Sequence, residues 1–217
     1  MSGDDVFSVR SFKDLVSDEA WAELTAYPSW PYAPDRTLLH QGDPGTHVLA
    51  LTDGLVKVVR EDRDGRERLL AFRGPGEILG EMAIQERGVR LAAVRTMSKC
   101  TASVIPADSF RRFVRGHQLA QPLAVLASSR LREQTEIHDG AVHQRLAVAL
   151  IRLVEVSGTD SLTLTREELA QHIGVGRKAV SKALDCLGPG LVKAGKRRIC
   201  GINVGGLKGM LERSMHH

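Results

Sequence analysis

The stretch Thr165–Leu187, TREELAQHIGVGRKAVSKALDCL, decides how the rest of the chain is understood. Ala170, Gly174 and Val180 stand at offsets of four and six, with Leu169, Ile173 and Leu184 as apolar companions. This spacing predicts two short helices around a tight turn, a helix-turn-helix. Ala170 is small enough to let the second helix cross close to the first, Gly174 can take the positive φ of the turn, and Ile173 and Val180 fill the wedge between them. Thr165 and Glu168 have the spacing of a capping box for the first helix. The second helix carries Arg177, Lys178, Ser181 and Lys182 on one exposed side near its N-terminus. There the cations can donate to guanine edges or phosphates, and Ser181 can reach backbone or base.

Outward from this motif, the GPG turn at 188–190 leads into LVKAGKRRICGI, a predicted β-hairpin wing whose loop cations Lys196, Arg197 and Arg198 would neutralise flanking phosphate. Upstream, SLTLT at 161–165 alternates as a short strand, and Val142, Leu146, Leu150 and Leu153 predict an amphipathic helix ending near Ser157-Gly158. Residues 141–217 carry 12 Lys/Arg against 6 Asp/Glu, whereas residues 1–140 carry 18 against 20. Motif spacing, local charge and wing together favour double-stranded DNA as a partner over the blander reading of a charged, solvent-facing helical hairpin.

Asp139-Gly140 is the expected hinge. Before it a longer helix is predicted from about Leu119 to His138, with Pro122 tolerated in its first turn. Leu119, Leu123 and Leu126 begin an apolar seam that continues through Arg130, Glu133 and Ile137, and dimerisation through this helix is favoured over purely intrachain packing. From about Arg36 to Pro106 the texture is different: the runs TLLHQ, HVLALTD, LVKVVRE, ERLLAFR, RLAAVRT and CTASVIP are separated by glycines, and Asp64-Gly65 is a hairpin signal. Short strands with turn chemistry between them predict two sheets in a β-sandwich or jelly roll. Residues 11–27 form a lead-in with a short helix opening at Asp18 and Glu19.

Within the strand-rich part, RGPGEILGEMAIQERGVRLAAVRT (73–96) contains a GxGxxxG run. A dinucleotide fold needs a strand, a glycine turn and a long helix, so that reading is rejected. What remains is Gly80-Glu81 opening a very short helical turn, and Arg90 at the start of a strand. Free amides, a guanidinium and a carboxylate can together hold a phosphate and an adjacent ribose hydroxyl; equally, Glu81 and Arg90 can form an ion pair that merely ties a loop to the roll.

No apolar run approaches the roughly 18 residues of a membrane span, and the start MSGDDVFSVR has no signal-peptide core, so no membrane partner and a cytoplasmic location are expected. Cys100, Cys186 and Cys200 are too widely spaced for a metal or iron–sulfur framework and are expected to be buried thiols. HExxH, Walker A and GxSxG motifs are lacking, which argues against an enzyme, and no catalytic or metal-binding residue is assigned. Metal readings through His138 with His143, or through His40 and His47 in a cupin-like roll, are the weaker alternatives.

The order of parts resembles the cyclic AMP receptor protein / fumarate-nitrate regulator family of bacterial transcription regulators. The resemblance runs from about Arg36 to Ile202 and rests on QGDPG at 41–45, the GEILGEMA to RLAAV cassette, the long helix, and LTREELAQHIGVGRKAVSKAL. It implies a cyclic-nucleotide-binding-like roll that takes a cyclic nucleotide or other effector, long helices paired into a homodimer, and a winged helix-turn-helix reading a near-palindromic operator. RNA polymerase is left open as a further partner. Gly80, Glu81 and Arg90 match the family's phosphate and ribose contacts, and Arg177, Lys178 and Lys182 its base-reading positions. The rival reading is a cyclic-nucleotide-sensing module that docks on protein instead of DNA.

Some positions depart from the family pattern. Leu91 stands where the cyclic AMP binders have a serine, and the Thr-Ser pair that would contact adenine is not located, so a cyclic nucleotide is open as effector while weak or no cyclic AMP binding is expected. Lys178 places a donor where the prototype has a glutamate reading cytosine, and Gly176 replaces a serine N-cap. The expected fold is therefore α+β: an N-terminal double-stranded β-helix (jelly roll) over 1–116, a dimerisation helix and hinge over 117–140, and a winged helix-turn-helix over 141–217. Candidate DNA contacts are Thr165, Arg166, Gly176, Arg177, Lys178, Ser181, Lys182, Lys196, Arg197 and Arg198. Candidate effector contacts are Gly80, Glu81, Met82, Ala83, Arg90 and Leu91.

Overall fold

A computed structural model describes residues 11–214; the N-terminal MSGDDVFSVR and residues 215–217, His216 and His217 among them, lie outside the described residues. The chain divides into two compact units, with the boundary between Leu131 and Arg132.

The first unit opens with α1 (Asp18–Thr25), capped by Ser17, whose hydroxyl accepts from the Ala20 N–H at 3.2 Å. Eight strands follow: β1 (Ser29–Tyr32), β2 (Thr37–Leu39), β3 (His47–Asp53), β4 (Val56–Glu61), β5 (Glu67–Arg73), β6 (Ile78–Leu79), β7 (Ala93–Thr96) and β8 (Cys100–Pro106). They pair antiparallel into two four-stranded sheets, ordered β1-β8-β3-β6 and β2-β7-β4-β5, which is the expected roll. Alternation along β3 explains its double burial. Leu49 and Leu51 join Leu39, Val56, Val94 and Ala102 between the sheets, whereas Val48 and Ala50 face helices on the outer side. The Asp64-Gly65 signal does close the β4–β5 hairpin: Gly65, at φ +77°, donates to the Asp62 carbonyl at 3.0 Å.

Two strands were absent from the sequence expectation. β1 carries Pro31, tolerated because the strand is at a sheet edge, and β6 is only two residues long. Between β6 and β7 lies the one-and-a-half-turn α2 (Glu81–Gln85), and after β8 come α3 (Ala107–Gly116) and α4 (Ala120–Glu136).

The expected dimer seam on α4 packs inward. Leu119, Leu123 and Leu126 are at most 5% exposed and share one cluster with Phe12, Leu24, Val48, Ile105, Phe110 and Phe113 of the same unit. The reason is composition: the outer face of β3 and β8 offers Val48, Ala50 and Ile105, and the leucines on α4 are the long apolar side chains that cover it. On the other side of α4, Gln121, Ala124, Val125, Ser128 and Leu131 are exposed, Val125 at 40% and Leu131 at 68%.

The second unit contains α5 (Val142–Ser157), α6 (Arg166–His172), α7 (Arg177–Leu187), β9 (Lys193–Ala194), β10 (Ile199–Cys200) and α8 (Val204–Ser214). α5 ends, as expected, with Gly158 in the left-handed region at φ +66°. The predicted SLTLT strand shrinks to a single bridge, in which Leu162 and Ile199 exchange backbone hydrogen bonds of 2.8 and 2.9 Å. Three residues later Thr165 already caps α6, which leaves no room for a longer ladder. α8 was missed because Gly205, Gly206 and Gly209 give it a poor helical signature. Gly206 has a packing reason, since a Cβ there would sit 2.5 Å from Leu191 Cδ2. The thiol expectation holds for Cys100 alone. Cys186 is exposed and Cys200 half-buried, because Val180, Ala183, Leu184 and Leu187 take the buried side of α7 and leave Cys186 on the other.

Candidate nucleic-acid interface and ligand pocket

The helix-turn-helix has the local chemistry its sequence implied. Thr165 Oγ1 accepts from the Glu168 N–H at 3.1 Å while Glu168 accepts from the Thr165 N–H at 2.9 Å, a reciprocal cap that satisfies two helix-end donors. Ala170, Ile173 and Val180 are at most 1% exposed. Gly174 turns the chain at φ +64°, and the Val175 N–H donates to the Ala170 carbonyl at 2.9 Å. Arg145 of α5 braces this turn by donating to the Ile173 carbonyl, and its Nε reaches the Ile137 carbonyl at 3.4 Å. Arg152 Nη1 donates to the Glu133 carbonyl at 3.0 Å, which also accepts from the Ile137 N–H at 3.2 Å, so two guanidiniums from α5 bond to carbonyls around the end of α4. Neither arginine stood out in the sequence, because a lone cation on an amphipathic helix reads as solvated surface.

Of the candidate DNA contacts, Arg177, Lys178, Lys182, Lys196, Arg197 and Arg198 are exposed, and Ser181, Thr165 and Arg166 are half-buried. Gly176 is exposed, has extended backbone and makes no side-chain cap, leaving the first amides of α7 open. Arg177, Lys178, Lys182, Lys196 and Arg197 have no ion-pair partner among the described residues. Arg198 is placed differently: its Nε donates to Ser161 Oγ at 2.9 Å, which fixes the root of the wing loop. The wing itself is the hairpin β9–β10, with Ile199 opposite Ala194 and Gly195 donating to the Arg198 carbonyl at 2.7 Å.

In the roll, Gly80 starts α2 at φ +87°, a conformation that favours glycine. A second constraint acts there, because a Cβ on Gly80 would lie 2.2 Å from Arg90 Nη1 and 2.9 Å from Leu39 Cδ1. Arg90 is 4% exposed; its Nη2 donates to the His47 carbonyl at 2.8 Å, and its Nη1 has no hydrogen-bond partner among the described residues. Glu81, Ala83 and Arg90 are buried, whereas Met82 and Leu91 are about half exposed, at 45% and 48%. The tie between Glu81 and Arg90 does not form. The Glu81 carboxylate is paired with Arg130 of α4, which also reaches Glu77 Oε2 at 2.9 Å, and Glu77 in turn lies 3.7 Å from Arg73. A chain of alternating charge thus runs Arg73, Glu77, Arg130, Glu81, with both carboxylates at most 5% exposed.

The QGDPG turn is bound to this cassette from the other side. Gly42 donates to the Arg90 carbonyl at 2.9 Å and the Arg90 N–H to the Asp43 carbonyl at 2.8 Å. Beside it lies a cavity of about 140 Å³ lined by Leu38, Leu39, His40, Asp43, Pro44, Thr46, His47 and Arg90. Only Arg90 of the candidate effector residues lines it. Burial and the Arg90 charge both hold the His47 imidazole below its ordinary value of 6.5, and burial lowers the Arg90 guanidinium from its usual range, opposed by Asp43 and Glu81. Among the described residues no group of three or more His, Cys, Asp or Glu side chains is arranged to hold a metal ion.

The description "Cyclic nucleotide-binding domain" matches residues 30–117, and "Crp-like helix-turn-helix domain" matches residues 144–210. The CRP-like cAMP-activated global transcriptional regulator of Mycobacterium tuberculosis is 32% identical over 161 residues, which cover 69% of this chain and 72% of that protein. The chain belongs to the CRP family. The cyclic AMP receptor protein of Thermus thermophilus is 29% identical over 190 residues, covering 85% of this chain and 88% of that one. A solved CRP-family transcriptional regulator, also from Thermus thermophilus, superposes with a TM-score of 0.69 at 22% identity, over 84% of this chain and 96% of that chain, and supports the shared fold. As a CRP-family protein the chain is a DNA-binding transcription regulator and not an enzyme. No helix among its described residues is long and apolar enough to cross a membrane.

Proposed function

We propose that the chain acts in the cytoplasm as a homodimer, reads a near-palindromic operator with α7, and is controlled by a small effector in the roll. The observation that carries the DNA assignment is the set of exposed cations Arg177, Lys178, Lys182, Lys196 and Arg197 on α7 and the wing, each without an acidic partner among the described residues. Cations left unpaired on one helix end and one hairpin are suited to phosphate and guanine, whereas a merely solvated face usually pairs with acids. Arg166 and Thr165 sit at the start of α6, where backbone contact to phosphate is the expected role. Asp139-Gly140, with Gly140 at φ +81°, serves as the hinge between the long helix and the DNA-binding part.

Pairing is assigned to the outward side of α4, through Ala124, Val125, Ser128 and Leu131, because the leucine seam is already used within the chain. Two copies would present α7 to successive major grooves about 34 Å apart. Operator selection from random DNA, followed by gel shift, tests the reading together with sedimentation of Leu131→Asp. Recovery of an inverted repeat, and loss of both dimer and operator binding in the variant, are expected. Binding without sequence preference at moderate salt, or an unaltered dimer in Leu131→Asp, refutes it.

A further inference from the structure

A single side chain bridges the end of α4 and the turn of the helix-turn-helix. From Arg132 onward the chain belongs to the compact unit that also holds α5, α6 and α7. Within that unit Ile137 is 2% exposed and Arg152 of α5 donates to the Glu133 carbonyl at 3.0 Å, so the last turns of α4 are fixed on α5. Arg145 stands two helical turns before Arg152, on the same side of α5. Its Nε reaches the Ile137 carbonyl at 3.4 Å, while its Nη2 donates to the Ile173 carbonyl. Ile173 closes the C-terminal end of α6, where the helix has no donor of its own for that carbonyl.

The next residue is the glycine of the turn. A Cβ on Gly174 would lie 3.0 Å from the His138 ring and 3.5 Å from Arg145 Nη2, so both side chains lie close against the backbone there. His138 is itself held, its Nδ1 donating to the Gln134 carbonyl at 2.8 Å. Two residues further on, Gly176 starts α7 with no side-chain cap. The entry of α7 is therefore set by its packed side, Val180 and Leu184, and by the place at which the turn before it is held. Arg145 makes no ion pair among the described residues. A cation of that kind is suited to phosphate, but this one directs Nε and Nη2 at carbonyls. The fixed fork of a guanidinium serves two acceptors at once, which an ammonium does less well.

We propose that Arg145 is a positioning residue for operator reading: it ties the turn before α7 to the end of α4, and so sets the angle at which Arg177, Lys178 and Lys182 meet the bases, without touching DNA itself. The inference rests on α7 being the DNA-reading helix. Its test compares the full-length parent with Arg145→Gln and Arg145→Lys. Each is titrated by fluorescence anisotropy with the operator that the parent selects from random duplex DNA and with a scrambled duplex, at several salt concentrations and well below its own thermal midpoint. Arg145→Gln should lose roughly tenfold or more in affinity for the operator, as expected when a charge-assisted hydrogen bond no longer holds the turn. Affinity for the scrambled duplex, and the salt slopes of both, should stay as in the parent. Arg145→Lys keeps the charge and the stem but not the fork, and should recover only part of the preference. If Arg145→Gln does not fold, the ratio between operator and scrambled duplex in Arg145→Lys, expected below the parent's, decides. An arginine that served stability alone would lower the midpoint and leave that ratio unchanged, and this result overturns the proposal. So does a salt slope flatter by about 1.8 per dimer, the mark of one lost phosphate contact per protomer. Full recovery in Arg145→Lys also overturns it, since the bridge between two carbonyls would then have no role. A parent with no preference for any duplex sinks the DNA reading itself and the proposal with it; a parent that prefers its operator, beside an Arg145→Gln that keeps the preference, sinks the proposal alone.

Discussion

The wing gives the most quantitative expectation. Lys196 and Arg197 are exposed on the β9–β10 loop and have no acidic partner among the described residues, whereas Arg198 is tethered to Ser161. If both free cations neutralise phosphate, the double variant K196A/R197A removes two phosphate contacts per protomer and about four per dimer. Each contact contributes about −0.9 to the slope of log K against log salt, so the slope should flatten by about 3.6. Between about 50 and 200 mM salt this makes the variant lose affinity less steeply, by a factor on the order of a hundred relative to the parent. The assay is fluorescence anisotropy with the selected operator and a scrambled duplex, each titrated at four or more salt concentrations. In that role these residues would touch backbone and not bases, so both duplexes should weaken together and the ratio between them should hold. A slope unchanged within error refutes the phosphate role of the wing. A collapsed ratio between operator and scrambled duplex would instead make these residues base readers.

Further expectations concern stability. Gly174→Ala forces a left-handed φ of +64° on an L-residue and brings the new Cβ to 3.0 Å from the His138 ring, so unfolding should become easier by about 1–2 kcal/mol, read as a lower thermal midpoint. Thr165→Ala removes the cap of α6 and should cost about 1 kcal/mol in the same measurement. The His47 imidazole is held below 6.5 in the folded chain, so the unfolded chain takes up its proton first. The corresponding stability is present above pH 6.5 and is lost as pH falls below it, and His47→Asn should flatten that decline in denaturant titrations between roughly pH 5 and 7.

Much of the fold was legible because it depends on local signals. The capping box at Thr165, the turn at Gly174, the apolar period of α5 and the glycine-separated strands each declare themselves within a few residues. What was not legible has a common origin in partners distant along the chain. An apolar seam on a helix specifies that something covers it, and nothing in Leu119, Leu123 and Leu126 distinguishes a second copy from β3 and β8 of the same chain. Arg130 looked like an interruption of that seam, although its partners Glu77 and Glu81 lie 53 and 49 residues away. The exposed side of α7 was legible in spacing and local charge, and Arg177, Lys178 and Lys182 do lie exposed there. The cavity was not, because its wall combines β2, the following turn and Arg90, and only the closed roll assembles them.

The pairing of β1 with β8 has a consequence for how the protein is made. Ser29 lies opposite Ser103 and Trp30 opposite Ala102, so the first strand waits on the ribosome for a partner more than 70 residues downstream. Contacts of such separation delay folding, because chain closure must precede any gain from pairing. The roll therefore completes its first sheet only after β8 has left the exit tunnel, and the leucines of α4, emerging next, seal the outer surface of that sheet before a second chain is required.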